Sequence, residues 1–342
     1  MATNELTPDQ IIQTGMGFFA SKALLSAVEL QVFGVLGDKA MTGAELTKAL
    51  KLHPRANPDF FDALLSIGML ARDGDGPNAR YRNTPETAFF LDKGKPTYVG
   101  GILEMANSRL YPFWANLTEA LRTGQPQNET KNGGESVFAE LYADEARLEQ
   151  FIDAMTGVST GNFVALADKF DFSKYRTLCD VGGAAGILSI MVALRHKHMT
   201  CVSADLPMVS PIARRKIASF GVSDRVKTQD IDFFKDPLPK ADVITMGMIL
   251  HDWDLENKMM LIRKAYDALP EGGAFIVVEA LIDDARRENT FGLMMSLNML
   301  IEFGVAFDYT GADFAGWCRE VGFKRTEVLP LAGPSSAAIA YK

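Results

Sequence analysis

The short apolar run Tyr175-Arg-Thr-Leu-Cys-Asp180 leads directly into Val-Gly-Gly-Ala-Ala-Gly186, and Ile187-Leu-Ser-Ile-Met-Val-Ala-Leu194 follows with a helical pattern. Strand, glycine turn and helix in that order constrain the fold more than any other feature. They are the unit from which open α/β sheets are wound, and ligands of such sheets bind at these turns. Glycines at 182, 183 and 186 let the backbone turn tightly and let a ligand approach with no Cβ atoms in the way. The spacing is Asp-x-Gly-x-x-x-Gly over Asp180, Gly182 and Gly186, not the Gly-x-Gly-x-x-Gly of a dinucleotide site. Asp180 would repel a pyrophosphate, so the expected ligand carries no phosphates.

Further carboxylates follow in order. Thr200-Cys-Val-Ser-Ala-Asp205 is a second apolar strand ending in an acid, at the position that bonds ribose hydroxyls in nucleoside-binding α/β folds. Val226-Lys-Thr-Gln-Asp-Ile-Asp232-Phe-Phe ends a third unit, where Asp232 can accept from an adenine amino group and Phe233 can cover the ring. Taken singly, Asp205 fits a helix N-cap and Asp232 a turn residue equally well; three acids in register argue for a nucleoside. Strands at Ala241-Asp-Val-Ile-Thr-Met246 and Ala274-Phe-Ile-Val-Val-Glu279 complete a doubly wound, mostly parallel sheet. The first of these runs into Gly247-Met-Ile-Leu-His251-Asp-Trp253, bringing a histidine to the carboxyl edge. His251 titrates nearest neutrality and can take a proton from a phenolic or enolic hydroxyl. Glu279 ends the next strand and can orient the imidazole, although a solvent-facing strand-end acid has the same position. Asp252 reads equally as the N-cap of a following helix.

At 342 residues the chain suits two domains. Its N-terminal part has a helical pattern over Phe18–Phe33, a capping box at Thr42-Gly-Ala-Glu45, a helix over Pro58–Leu70 and a hairpin from Ala71 to Thr84 around Asp73-Gly-Asp-Gly-Pro77. That order is a winged helix. Its second helix is acidic and apolar where a DNA-reading helix carries Arg, Lys, Asn or Gln, and the net charge is −8, so dimerisation is expected rather than nucleic-acid binding. A helical stretch from Glu104 to Asp168 follows, interrupted by the polar loop Gly124–Gly134, a candidate border of the site. Cys179, Cys201 and Cys318 are scattered in apolar contexts, and no Cys or His pair has the spacing of a zinc site. Residues 1–8 lack a basic region followed by an apolar one, and no later apolar run reads as long enough to span a bilayer, so a cytoplasmic protein without a membrane partner is expected.

The glycine turn, Asp205-Leu-Pro207, Asp232-Phe-Phe, Leu250-His-Asp-Trp253 and Val277-Val-Glu279, in this order after a winged-helix segment, resemble the S-adenosylmethionine-dependent O-methyltransferases of plant phenylpropanoid and bacterial natural-product pathways. The resemblance covers nearly the whole chain. It implies a Rossmann-like doubly wound sheet with an N-terminal all-helical winged-helix dimerisation domain over residues 1–104, a helical linker over 105–168 that contributes to the active site, and a cofactor-binding catalytic domain over 169–342. A homodimer joined through the N-terminal domains is implied with it.

By the same resemblance S-adenosylmethionine contacts Ser159, Asp180, Gly182, Gly186, Asp205, Leu206, Asp232 and Phe233. His251 is the general base, positioned by Glu279 and Asp308. A flat aromatic or polyketide-like acceptor would lie against Trp114, Phe151, Met155, Met299 and Phe303, although a methionine-rich helix such as Met294–Phe303 is equally plain core. Two departures from the family pattern stand out. Asp308 occupies the place of a second histidine-orienting glutamate, and Gly247 that of a Lys or Arg four residues before the histidine. They leave N-, S- or C-methylation, a cofactor-binding descendant with other chemistry, and a winged-helix regulatory protein as alternatives. A nicotinamide-dependent dehydrogenase is disfavoured by the glycine spacing.

Overall fold

The computed structural model describes residues 6–132 and 145–342. The chain divides into two compact units, Met1–Tyr111 and Pro112–Lys342.

In the first unit, β1 (Met41–Thr42), β2 (Leu70–Asp73) and β3 (Arg80–Asn83) form an antiparallel sheet in the order β1-β3-β2, so the winged-helix domain is helical with one small sheet rather than all-helical. The expected hairpin is β2 and β3, and its turn passes through Gly74 and Gly76 at φ +76° and +71°, where glycine is free of Cβ strain. The expected capping box exists: the Thr42 hydroxyl accepts from Glu45 N–H while Glu45 accepts from Thr42 N–H. The helix read over Pro58–Leu70 is shorter, Asp59–Ser66, because Leu70 is already in β2. Its acids serve the unit itself, Asp62 accepting from Tyr81 at 2.6 Å and Arg72 at 2.7 Å. Val28, Phe33, Leu36, Leu46, Phe61 and Leu64 form the core beneath.

The expectation that no apolar run could span a bilayer meets one exception, by length and composition alone. The stretch Asp9–Glu29 is long and apolar enough, by length and composition, to cross a membrane. It is broken into two helices, Asp9–Gly15 and Phe18–Glu29, and leaves Ile11, Ile12, Phe18 and Phe19 exposed.

The second unit is built on a seven-stranded sheet: β4 (Thr177–Val181), β5 (Thr200–Asp205), β6 (Val226–Asp230), β7 (Val243–Gly247), β8 (Ala274–Glu279), β9 (Arg325–Pro330) and β10 (Ser336–Tyr341), in the order β6-β5-β4-β7-β8-β10-β9. β4 through β8 are parallel, and β10 is antiparallel to both of its neighbours. The chain enters at β4, winds outward to β6, then returns to β7 on the other side of β4. The carboxyl ends of β4 and β7 therefore flank the point where the winding reverses, which is where open sheets form their ligand crevice. Layers on both faces explain the unbroken apolar run of β8: Ala274, Ile276 and Val278 join the core with Leu166 and Phe172, whereas Phe275 and Val277 join Leu261, Ile262 and Phe314 on the other face. The sequence reading had not drawn β9 and β10.

Phe275 is fully buried at the centre of the second layer. Phe275→Ala is expected to lower unfolding free energy by about 3–5 kcal/mol, measured as a lower urea midpoint at unchanged slope.

Candidate active site

The crevice is organised by backbone conformations that few side chains tolerate. Gly182 and Gly186 stand at φ +67° and +74°, and Ala184 between them at +47°. A Cβ on Gly182 would collide with the Ile249 side chain, and one on Gly183 with Ser203 Oγ, at 3.0 Å from Asp180 Oδ2. The turn is tied to β5 by Gly182 N–H donating to Ala204 O at 2.8 Å. It is tied to β7 by the Thr245 hydroxyl, which donates to Asp180 Oδ1 at 2.7 Å. Burial pushes the Asp180 carboxyl up to about 7, against the Thr245 hydrogen bond and with some help from Asp205. Asp180 is thus an internal strut of the turn.

Asp205 closes the other side. Its Oδ2 accepts Ala184 N–H at 2.8 Å and its Oδ1 accepts Leu206 N–H at 2.7 Å. Burial raises it to about 6 despite those two donors. Each oxygen keeps a lone pair for a further donor. Phe233 is half-buried, with its ring edge 3.9 Å from where a Cβ of Gly182 would lie. Asp232 begins the adjoining turn, its carboxylate accepting Phe234 N–H at 3.0 Å and pairing with Lys235 at 2.8 Å, which holds it below the usual range. Lys264 fastens this turn by donating to the carbonyls of Phe233, Phe234 and Asp236. Phe234 meets Trp253 edge-on at 4.5 Å, joining the Asp-Phe-Phe and His-Asp-Trp motifs.

The chain leaves β7 through Met248, a non-glycine residue at φ +58°, which swings Ile249 over Gly182 and delivers the short turn Leu250–Asp252. His251 is buried there. Its Nδ1 lies 3.3 Å from Asp308 Oδ1 and its Nε2 3.4 Å from Asp252 Oδ1. Glu279 does not orient the ring directly: its Oε1 accepts the backbone N–H of His251 at 3.2 Å. Asp308 contacts the imidazole, and Glu279 fixes the peptide that carries it. The N-cap of the following helix, Leu255–Ala268, is Asp254, which frees Asp252 to face the histidine. Burial disfavours the imidazolium, but Asp252, Asp308 and Glu279 outweigh it and push the His251 pKa up to about 10. Asp252 is raised by its own burial to about 7, held back by His251.

Asp308 is set by two neighbours. Its N–H donates to Ser296 Oγ at 3.2 Å, and the next residue, Tyr309, accepts Ile282 N–H at 2.9 Å just beyond β8. Gly247 has a packing cause: a Cβ there would lie 3.0 Å from the Phe163 ring. The long side chain expected at that position has been exchanged for an aromatic contact from the helix Glu145–Lys169.

The remaining candidates separate into groups. Met299 is buried and Phe303 half-buried on the helix Thr290–Phe303. Trp114 reaches that helix by donating to Asn298 Oδ1 at 2.9 Å, a partner the sequence reading missed. Phe151 packs, like Ala184 and Leu206, against the cluster of Leu148, Ile152, Ala185, Val209 and Ile212, beside the glycine turn. Ser159 is buried and Met155 half-buried on the same long helix. The polar loop borders this region: Gln127 N–H donates to Ile301 O at 2.7 Å and Asn128 donates to Glu302 O at 2.7 Å. Gly133 and Gly134, its last residues, lie outside the described residues. Lys258, whose ammonium donates to Trp253 O, was also missed, though it falls on the buried stripe with Leu261, Ile262 and Ala265.

Gly183→Ala forces a Cβ against Ser203 and Asp180 in a turn with no slack. It is expected to lower the melting temperature by several degrees, whereas Gly272→Ala, with open space around its Cβ, should cost only its backbone strain at φ +78°. Thermal scans of the two proteins check this.

The chain is similar to proteins of known activity along its whole length. An O-methyltransferase domain model matches residues 114–324, and an O-methyltransferase dimerisation domain model matches residues 12–93. The tetracenomycin polyketide synthesis 8-O-methyl transferase TcmO of Streptomyces glaucescens is 39% identical over 98% of this chain and 97% of its own length. The N,N-dimethyltransferase OxyT of Streptomyces rimosus is 33% identical, over 95% and 94%. The crystal structure of human N-acetylserotonin methyltransferase in complex with SAM superposes with a TM-score of 0.90 at 27% identity, covering 100% of this chain and 99% of that one. With a glycine turn, a half-buried Asp205 and a carboxylate-ringed His251 gathered at one sheet edge, and matches over both of its parts, the chain belongs to the O-methyltransferase family.

Proposed function

We propose that this chain transfers a methyl group from S-adenosylmethionine to a hydroxyl of a small aromatic or polyketide-like acceptor, with His251 as general base. The observation that carries the reading is the buried imidazole between Asp308 and Asp252 at the crevice. The residues present fit the methyl donor. Asp205 offers one free lone pair on each oxygen, a match for a vicinal diol such as ribose. Phe233 offers a half-exposed ring beside Gly182, suited to an adenine face, with Asp232 at hand for its amino group. Asp180, Gly182, Gly186 and Leu206 shape the wall between them, with Ser159 of the long helix as a further contact.

Bound S-adenosylmethionine supplies an electrophilic methyl on a sulfonium. The chain supplies the rest. His251 accepts the acceptor's hydroxyl proton as its oxygen becomes nucleophilic, and the neighbouring carboxylates stabilise the imidazolium formed. Asp308 fixes the ring and Glu279 fixes the peptide behind it. Trp114, Met155, Met299 and Phe303 furnish an apolar wall for a flat acceptor, with Phe151 nearer the donor. Holding the reactants together contributes much of the acceleration.

Residues 1–104 are proposed as the dimerisation domain, 105–168 as a helical linker contributing to the site, and 169–342 as the cofactor-binding domain. The exposed apolar face at Ile11, Ile12, Phe18 and Phe19 then meets a second copy of the chain, in a cytoplasmic homodimer with neither a nucleic-acid nor a membrane partner. The likeness to an N,N-dimethyltransferase keeps amine acceptors as a second reading; a hydroxyl is favoured because a strongly basic, carboxylate-backed imidazole suits a proton held as tightly as a phenol's.

With 1,8-dihydroxyanthraquinone as phenolic probe, His251→Ala is expected to lower kcat by about 10²–10⁴-fold while S-adenosylmethionine binding by calorimetry stays near wild type. Wild-type rates should rise with pH through the neutral range, because a base whose pKa is raised must first lose its proton. The variant should keep only the dependence due to the probe's own ionisation. A wild-type rate in His251→Ala would remove His251 as base, and absence of donor binding would remove the reading altogether.

A further inference from the structure

The turn over residues 232–236 bonds to itself through its own N–H groups. The Asp232 carboxylate accepts Phe234 N–H at 3.0 Å, and Asp236 Oδ2 accepts Asp232 N–H at 2.8 Å. The Asp232 carbonyl accepts Lys235 N–H at 2.9 Å and Asp236 N–H at 2.7 Å. The carbonyls of Phe233, Phe234 and Asp236 point elsewhere, and all three converge on the ammonium of Lys264, at 2.7, 2.9 and 2.9 Å. Carbonyl dipoles aimed at one point repel one another unless a cation stands there. An ammonium meets all three with its three N–H donors, whereas a neutral side chain offers at most two.

Lys264 reaches the turn from outside. It stands on the helix Leu255–Ala268 beside the buried Leu261, Ala265 and Ala268, so the packing of that helix decides where its ammonium lies. The entry to the turn is tied separately, by Ile231 N–H donating to Asp205 O at 2.9 Å. Asp232 and Phe233 are thus held between two pins, one on the ribose-side acid and one on the helix. Lys235 does not duplicate the second pin. It pairs with the Asp232 carboxylate at 2.8 Å, but its side chain is 82% exposed, where an ion pair is screened and contributes little.

We infer that Lys264 is a positioning residue for the methyl donor: by holding three carbonyls of the 232–236 turn, it fixes Asp232 and Phe233 where the adenine of S-adenosylmethionine binds. It thereby sets the affinity for the adenosine part of the donor without touching donor or acceptor. The inference rests on the donor lying against Asp205 and Phe233 as proposed above. S-adenosylmethionine and its demethylated product share that adenosine, so the two depend on Lys264 equally. The proton transfer at His251, on the far side of the crevice turn, does not depend on it.

The test is calorimetric titration of the full-length chain with S-adenosylmethionine and with S-adenosylhomocysteine. Lys264→Met keeps the length of the stem and removes the donors. Both Kd values should rise by the same factor, about tenfold, the worth of one charge-assisted hydrogen bond. With the phenolic probe, kcat/KM for the donor should fall by that factor while kcat at saturating donor is retained. Lys264→Arg, which restores a charge and N–H donors, should bind both ligands more tightly than Lys264→Met. Unmoved Kd values in a cooperatively melting Lys264→Met protein overturn the inference. So does a loss confined to kcat, or an arginine variant as weak as the methionine one, since a lysine that only supports packing gives those results. If Lys264→Met does not melt cooperatively, Lys264→Gln, which keeps two N–H donors, is held to the same outcomes. A wild-type chain that binds neither ligand would instead remove the donor reading itself.

Discussion

One hydrogen bond couples the two halves of the site. The Thr245 hydroxyl reaches from β7 to Asp180 on β4, in the same register that pairs the two strands. At that rung the winding of the sheet reverses, so the chain leaves β4 into the glycine turn and leaves β7 toward His251. The glycine turn and His251 are thereby set from adjacent strands across a few ångströms of rigid ladder. The strained residues, Ala184 and Met248, stand just past this rung, one on each side. Such conformations persist only where surrounding structure overdetermines them. Here the Ala184 N–H is held by Asp205 and the Met248 N–H by Val278 O.

The site is best described as a ring of acids around one imidazole, not as a triad. Asp252, Glu279 and Asp308 arrive from three different elements, and each does something different: one faces Nε2, one the peptide, one Nδ1. This division of labour answers the shortened side chain at 308. An aspartate suffices because Ser296 and the Ile282–Tyr309 contact bring its backbone close. It also answers Gly247, whose missing side chain makes room for Phe163.

Much of this was legible in the sequence because short-range chemistry writes itself into short motifs. The glycine turn, the strand-end acids at 205 and 279, the His-Asp-Trp run and the Thr42 capping box each need particular residues at fixed spacing, and the strands β5 and β8 begin and end where they were read. What stayed hidden depends on distance in sequence. Which carboxylate meets the imidazole follows from how residues 307–310 run beside the end of β8, a pairing between Ile282 and Thr310 that no local pattern announces. That Phe151 packs beside the glycine turn was not legible either, because a helical residue's heading is set by what the helix packs on. Lys258 could have been found: a lysine on the buried stripe of an amphipathic helix is a charge that must be answered somewhere. β9 and β10 went unread because Ser336-Ala-Ala-Ile-Ala-Tyr341 looks like a weak run until it is wedged into a sheet.

That wedge has a consequence for how the chain is made. β10 lies between β8 and β9, yet it is the last of the seven strands to be synthesised. Until residues 336–341 have emerged, the β8 edge presents a row of unpaired peptide groups next to Glu279, and β9 has no partner in the sheet. The parallel strands β4 to β8 can assemble beforehand, but the sheet cannot close around them. The nascent domain therefore keeps an open apolar edge beside the future site until β10 has been made, and that one strand both covers β8 and brings β9 into the sheet.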